Sequence, residues 1–115
     1  MAAPVIGEIV IVPFPFSDLS GTKRRPAAVI AEAEHGDVIL CQITSRPWSS
    51  STAIRIDETD VVGDGLQRVS YARPDKLFTA SASLVMGSVG RIRDEKSREL
   101  RRFVRRLFED GLPAD

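Results

Sequence analysis

Two short segments of this sequence carry side chains that can act on a phosphodiester. Lys23–Arg25 stand directly before an apolar run, and Thr44 and Ser45 close a second apolar run. A guanidinium stays cationic and can hold two phosphate oxygens at once. A hydroxyl can donate a hydrogen bond to a phosphoryl oxygen as negative charge develops on it. These residue types favour phosphoryl-transfer chemistry, in which they would stabilise the charge of the transition state.

Metal chemistry is not expected, because the sequence lacks the residue spacing of a metal site. It holds one histidine, His35, and one cysteine, Cys41, and no close cluster of His, Asp and Glu. We therefore expect metal-independent chemistry with no cofactor. A general base is not identified, and Asp18, Glu34 and His35 are candidates by residue type alone. His35 falls in a predicted turn, so we expect it to be an exposed turn residue.

The strands that flank the basic segment can be predicted from its neighbours. Gly7–Val12 is rich in β-branched residues and predicts a buried strand that ends or bulges at Pro13 and Pro15. Ser17–Thr22 contains turn formers, and Ala27–Ala31 predicts the second strand. Lys23–Arg25 are therefore expected where a loop re-enters the sheet.

The remaining chain predicts further short strands and one helix. Glu34–Asp37 predicts a hairpin turn into the third strand, Val38–Thr44, and Asp57–Gly65 predicts a loop with room for one helical turn. Further strands are expected at Ala53–Ile56, Leu66–Tyr71, Lys76–Thr79 and Val85–Ile92, with a turn at Arg73–Asp75 between the middle two. Such a small antiparallel sheet is expected to close into a compact barrel, which hides its edges.

The C-terminal segment has the spacing of an amphipathic helix. Its apolar residues recur at i, i+3, i+4, i+7 and i+8, as Leu100, Phe103, Val104, Leu107 and Phe108. Asp94 is the predicted N-cap, and Gly111 and Pro113 end the helix. The five arginines between residues 98 and 106 are expected to form its solvated face.

Length and composition limit the classes to which the protein can belong. The 115 residues form one domain, 1–115, and no apolar run approaches the roughly 20 residues that a membrane helix needs. A single cysteine and the lack of a secretory signal favour the cytoplasm. The 16 basic and 16 acidic residues give no net charge. Local basic clusters on a neutral chain suit an enzyme that must bind RNA and release it.

Several of these motifs occur in an order that resembles the MazF/PemK family of toxin endoribonucleases. They are Gly7–Val10, Lys23–Ile30, Ile43–Ser45, Gly65–Leu66, Ser70 and Asp75–Leu77. The ordered set covers almost the whole chain, whereas no single motif is decisive. Residues 13–21 resemble the PemK-like branch more than the best-known MazF proteins.

The resemblance implies a fold, an activity and partners. The fold would be mainly β, a small SH3-like antiparallel barrel with a C-terminal helix, usually assembled as a homodimer. The activity would be metal-independent cleavage of single-stranded RNA, held inactive by a cognate antitoxin. Arg25 and Thr44 lie at the positions of the catalytic residues of the family. The RNA-binding residues would be Lys23, Arg24, Ser45, Asp18, Ser20 and Lys76.

Two other functions remain open from the sequence. CcdB-type gyrase inhibitors share the barrel but do not cut RNA, and their action depends on the end of the C-terminal helix. Here the terminal segment 109–115 lacks the pattern expected for them. An inactive module that only binds an antitoxin is the third interpretation, and the sequence separates it poorly from the nuclease.

Overall fold

Seven antiparallel strands and one helix occur in the computed structural model, which describes residues 3–15, 21–46, 52–63, 66 and 68–111. In chain order the elements are β1 (Glu8–Pro15), β2 (Thr22–Glu32), β3 (Asp37–Thr44), β4 (Ile54–Ile56), β5 (Val61–Val62), β6 (Ser70–Ser81), β7 (Gly87–Ile92) and α1 (Asp94–Asp110). The sheet order is β4-β6-β3-β2-β1-β7-β5. The sheet forms a nearly closed barrel, which confirms the predicted fold class.

β1 continues through Pro13 to Pro15 with an unbroken β1–β2 register, so the prediction that it ends or bulges at the prolines is wrong. The backbone N–H of Met86 donates to the carbonyl of Ile11 at 2.8 Å, so odd-numbered residues of β1 direct their backbone groups away from β2. Pro13 and Pro15 share that parity, and β7 pairs only with Glu8–Ile11. The nitrogens of Pro13 and Pro15 therefore point to the side of β1 on which no described strand pairs with them, so their missing N–H groups cost no cross-strand hydrogen bond there.

β2 begins at Thr22, five residues before the predicted start at Ala27. The extension of β1 gives Lys23–Arg25 partners, because Arg25 pairs with Val12 and the ladder continues to Thr22. Pro26 does not interrupt the strand, since the β2–β3 ladder begins one residue later, at Ala27. The basic segment is thus part of a strand and not of the preceding loop.

β6 is one strand where the sequence predicted two strands and a turn. Cys41 pairs with Leu77 and Ile43 pairs with Ala72, so Arg73–Lys76 bulge opposite the single residue Gln42. The bulge takes Pro74 out of the ladder, and its missing N–H then costs no cross-strand hydrogen bond. The turn-forming residues at this point therefore bend the strand without ending it.

The turns and loops follow the predictions closely. A 3₁₀ turn at Glu34–Gly36 joins β2 to β3, and His35 there has φ 62°. A second 3₁₀ turn at Glu58–Asp60 is the single helical turn expected in that loop. The short strand β5 after it was not predicted.

The helix begins one residue differently from the prediction. Arg93, not Asp94, is the N-cap, and its guanidinium Nε donates to the Thr59 carbonyl at 3.0 Å. The helix ends at Gly111, whose φ of 73° is readily adopted only by glycine. No helix in the described part of the chain is long and apolar enough to span a membrane.

Alternate residues of the central strands bury two separate apolar clusters. The helix-side core contains Ile9, Ala28, Cys41, Ile43, Leu100 and Val104 among its buried residues. The second core lies on the opposite face of these strands and contains Val10, Val12, Phe14, Ala27, Val29 and Leu40. Phe103 and Leu107 are half-buried, whereas Phe108 is 77% exposed, so its predicted place in the apolar stripe is wrong.

Candidate active site

Arg25 is held by β2 on the face of the second core. Its cross-strand partner is Val12, a buried residue of that core, and opposite residues of a ladder point to the same face. The side chain is half-buried and forms no ion pair or hydrogen bond within the described residues. An arginine fixed at its base and unpaired at its head is available to a ligand anion.

Thr44 is the last residue of β3 and is also half-buried. Its Oγ1 accepts a hydrogen bond from the backbone N–H of Arg46 at 3.1 Å. That bond occupies a lone pair and leaves the hydroxyl proton free to be donated. The structural role and the predicted catalytic role of this hydroxyl are therefore compatible.

The register of the sheet places Arg25 and Thr44 on the same face of two neighbouring strands. The β2–β3 ladder pairs Ala28 with Cys41 and ends where Ala27 pairs with Gln42. Continuing the same register by two residues places Arg25 opposite Thr44, on one face of the sheet. Neighbouring strands lie about 4.8 Å apart, so both side chains can reach a single phosphate.

The two other residues of the basic segment differ in their orientation. Lys23 has the same parity as Arg25 and pairs with Phe14, so it lies on the same face. Arg24 pairs with Pro13 and points to the other side of the strand. Both side chains are exposed, as is Ser45 directly after β3. Lys23 and Ser45 are therefore near the Arg25–Thr44 pair, whereas Arg24 is turned away from it.

Lys76 lies in the β6 bulge opposite Gln42 and is half-buried. The neighbouring Asp75 pairs with Arg73 at 3.1 Å, and Lys76 forms no ion pair in the described part of the chain. Its predicted role in RNA binding stays a prediction. Asp18 and Ser20, also predicted to bind RNA, lie outside the described residues.

Two of the three candidate bases are remote from the site. Glu34 and His35 form the hairpin turn after β2, and their side chains are 93% and 91% exposed. Seven residues of β2 separate Arg25 from Glu32, about 23 Å along the strand at ~3.3 Å per residue. This separation excludes both as a base for a phosphate at Arg25, and it confirms His35 as an exposed turn residue.

Cys41 is a buried thiol with no part in the site. It belongs to the helix-side core, and its Sγ donates to the Arg73 carbonyl at 2.9 Å. Burial raises the pKa of the thiol to about 12. The thiol therefore acts as a small hydrophobe of the core. No group of metal-ligating side chains occurs among the residues that the structure describes.

Two residues on the face of Arg25 were not predicted as site residues from the sequence. Tyr71 pairs with Thr44 in the β3–β6 ladder, and Arg55 pairs with Tyr71 in the β4–β6 ladder. Opposite residues share a face, so Tyr71 stands directly beside Thr44. The period-2 alternation of β6 was the available signal, but the predicted break at Arg73–Asp75 concealed the pairing.

Residues 6–108 match the family described as the PemK-like, MazF-like toxin of type II toxin–antitoxin systems. The matched region contains every described element except the last residues of α1. The chain belongs to this toxin family. The match includes the whole of β2 and β3, the two strands that carry Arg25 and Thr44.

Solved structures similar to this toxin have the same fold at low sequence identity. An endoribonuclease in complex with its cognate antitoxin, from a mycobacterial species, is 14% identical over 100% of both chains, with a TM-score of 0.69. A MazE–MazF structure from Deinococcus radiodurans is 19% identical over 95% of this chain and 98% of that chain, with a TM-score of 0.73. Mycobacterium tuberculosis toxin MazF-mt6 is 18% identical over 89% and 96%, with a TM-score of 0.68. No curated protein sequence matches the chain.

Proposed function

We propose that this toxin is a metal-independent endoribonuclease that cleaves single-stranded RNA, most often messenger RNA. The observation that carries the proposal is the guanidinium of Arg25, which no described residue pairs, on the same face as the Thr44 hydroxyl. Membership of the toxin family and its endoribonuclease neighbours of the same fold support the reaction class.

The reaction assigned to the site uses the nucleophile that RNA itself carries. The 2′-hydroxyl attacks the adjacent phosphorus in line while its proton passes to water. The bond to the 5′-oxygen breaks, that oxygen takes a proton from water, and negative charge grows on the non-bridging oxygens in the transition state. Arg25 holds those oxygens as a charged fork, and Thr44 donates a hydrogen bond to one of them. A guanidinium keeps its positive charge and has no acceptor atom, so Arg25 acts as a charge stabiliser and not as a base.

The same geometry supports a proposal about partners. Lys23 and Arg25 project from one face of β2, so an acidic segment laid over that face would cover the charges that bind RNA. The neighbours from mycobacteria and Deinococcus were solved with an antitoxin or with MazE. We expect a cognate antitoxin that binds here, a homodimeric toxin, and action in the cytoplasm.

Cleavage of a long single-stranded RNA in the presence of EDTA tests the proposal. Arg25→Gln keeps the polar length of the side chain but removes its charge, and Arg24→Gln is the matched control on the other side of β2. The wild type and Arg24→Gln should cut the RNA, and Arg25→Gln should not. Intact RNA with the wild-type protein would refute the nuclease, and equal cleavage by all three proteins would place the site elsewhere.

The gyrase-inhibitor alternative is not favoured. The family match is to PemK-like, MazF-like toxins, and no feature of the described residues points to a topoisomerase. The same assay tests the third interpretation. A correctly folded wild type that bound an antitoxin but left RNA intact would be an inactive antitoxin-binding module.

A further inference from the structure

A row of side chains crosses four strands on the face that carries Arg25. Arg25 stands opposite Thr44 when the β2–β3 register is continued, and Thr44 pairs with Tyr71. Tyr71 in turn pairs with Arg55 on the edge strand β4. Each step is one strand spacing, about 4.8 Å, so the row extends roughly 14 Å from Arg25. A chain of nucleotides that starts at Arg25 and Thr44 can follow this row over Tyr71.

Tyr71 has the properties of a residue that stacks on a base. It is half-buried, which fixes its ring, and its hydroxyl forms no hydrogen bond with another described residue. Aromatic rings beside RNA-binding sites commonly stack on unpaired bases, because every base has a π-face. A ring one strand away from Thr44 is placed to hold a nucleotide next to the reacting phosphate.

A cavity of roughly 410 Å³ opens at the end of the row. It lies where Ile56 pairs with Ser70, between the 3₁₀ turn after β4 and the segment that leads into β6. Its walls include the polar residues Arg55, Glu58 and Arg68 and the apolar residues Leu66 and Val69. Five of the seven lining residues are polar, and the volume is within the range of small-molecule sites.

The charge of the cavity favours a base over a phosphate. Two arginines and two carboxylates, those of Asp57 and Glu58, line it and leave no net charge. Asp57 is already engaged, because Thr59 donates to its Oδ1 and Arg55 lies 3.9 Å from its Oδ2. Glu58 is exposed and forms no ion pair in the described part of the chain. A free carboxylate accepts hydrogen bonds from exocyclic amino groups, as it does from cytosine N4.

We propose that this cavity is a nucleobase pocket and that Tyr71 stacks on the nucleotide between the pocket and the scissile phosphate. The inference rests on the proposed RNA cleavage and adds a specificity element to it. The pocket selects a base that carries an exocyclic amino group, and it disfavours uracil at one fixed position relative to the cut. Tyr71 is a positioning residue, since it acts on the nucleotide that connects the two sites.

Sequencing the ends produced from a randomised RNA library tests the pocket. The wild type should disfavour uracil at one position on one side of the cut, and Glu58→Gln should weaken that preference. Glu34→Gln, an exposed glutamate in the remote hairpin turn, is the matched control and should keep the wild-type profile. An identical profile for Glu58→Gln, or a wild type with no preference against uracil at any position, would overturn the assignment.

A binding measurement tests Tyr71 without relying on cleavage. The probe is a fluorescent RNA whose cleavage site, as read from the library, is blocked by a single 2′-deoxy nucleotide. If the library gives no site, the probe is a DNA oligonucleotide of mixed sequence. Tyr71→Leu should weaken binding by about 5- to 100-fold, and Tyr71→Phe should stay within about twofold of wild type, because only the former loses the ring.

The two proposals fail in different ways in these experiments. A wild type that binds the probe but cuts no RNA would refute the nuclease, while the Tyr71 variants would still report on stacking. Wild-type affinity in Tyr71→Leu would overturn the stacking role even if cleavage is confirmed. Thermal unfolding of each variant separates loss of binding from loss of fold. If Tyr71→Leu does not fold, Tyr71→Phe still tests whether the ring is sufficient, and a large loss of affinity in that variant would overturn the stacking role.

Discussion

Replacing Thr44 by valine removes the proposed hydrogen-bond donor and keeps the shape of the side chain. Among the described residues the hydroxyl makes one hydrogen bond, the 3.1 Å bond from the exposed backbone N–H of Arg46. Because water can replace Oγ1 at that N–H, we expect the free energy of unfolding to fall by only about 0.5–1.5 kcal/mol. Removing one donor from a developing oxyanion typically lowers kcat about 100- to 1,000-fold. Activity should therefore fall far more than stability.

The assay for this variant is single-turnover cleavage of a short RNA in EDTA, with urea unfolding of the same preparations. Thr44→Ser is the matched control, because it keeps the hydroxyl and loses only a methyl group, and it should stay within about tenfold of wild type. Thr44→Val with near-wild-type cleavage would refute the role of the hydroxyl. A loss of cleavage matched by a loss of folded protein would show that Thr44 is structural.

Three other predictions follow from the structure. Below pH 9.0 the thiol of Cys41 is protonated in the folded and the unfolded state, and between pH 9.0 and about 12 only the unfolded thiol ionises. The free energy of unfolding, measured in urea, should therefore fall with pH over that range, and it should fall less steeply in Cys41→Ala. An equal pH dependence in the two proteins would contradict the burial of the thiol. Leu100→Ala should lower the free energy of unfolding by about 2–5 kcal/mol, whereas Phe108→Lys should change it by no more than about 0.5 kcal/mol, because Leu100 is 1% exposed and Phe108 is 77% exposed. Calorimetry checks both variants, and similar falls in melting temperature would refute the packing of the helix described above. Glu34→Gln and His35→Ala should leave the cleavage rate within about twofold of wild type, and a large loss in either would show that the turn approaches the site.

The sequence predicted the strands with strong β-branched runs and missed the features that depend on partners. Pro13 and Pro15 read locally as a strand end. They remain in β1 because their nitrogens point away from β2, to a side where no described strand pairs with them. That side is open because the pairing with β7 stops at Ile11, which the sequence of β1 does not indicate. Likewise, the turn signal at Arg73–Asp75 became a bulge because β3 pairs with β6 on both sides of it. Neither outcome can be read from one strand alone.

In the candidate site, too, residue types could be predicted from the sequence, whereas positions that depend on a partner strand could not. Arg25 and Thr44 could be identified from residue type and from the resemblance to the toxin family. Their positions on one face follow from the register, which the sequence did not specify. Tyr71 was unrecognisable as a site residue until its pairing with Thr44 was known. The predicted roles of Asp18 and Ser20 remain predictions, because both lie outside the described residues.

The central claim is that Arg25 acts on a phosphate attacked by the neighbouring 2′-hydroxyl without a metal. Its most direct test is cleavage, in EDTA, of an RNA oligonucleotide and of its counterpart with one 2′-deoxy nucleotide at the cut. The wild type should cut only the all-ribose oligonucleotide, and Arg25→Gln should cut neither. Cleavage of the 2′-deoxy oligonucleotide at the same bond, or full activity of Arg25→Gln, would contradict it.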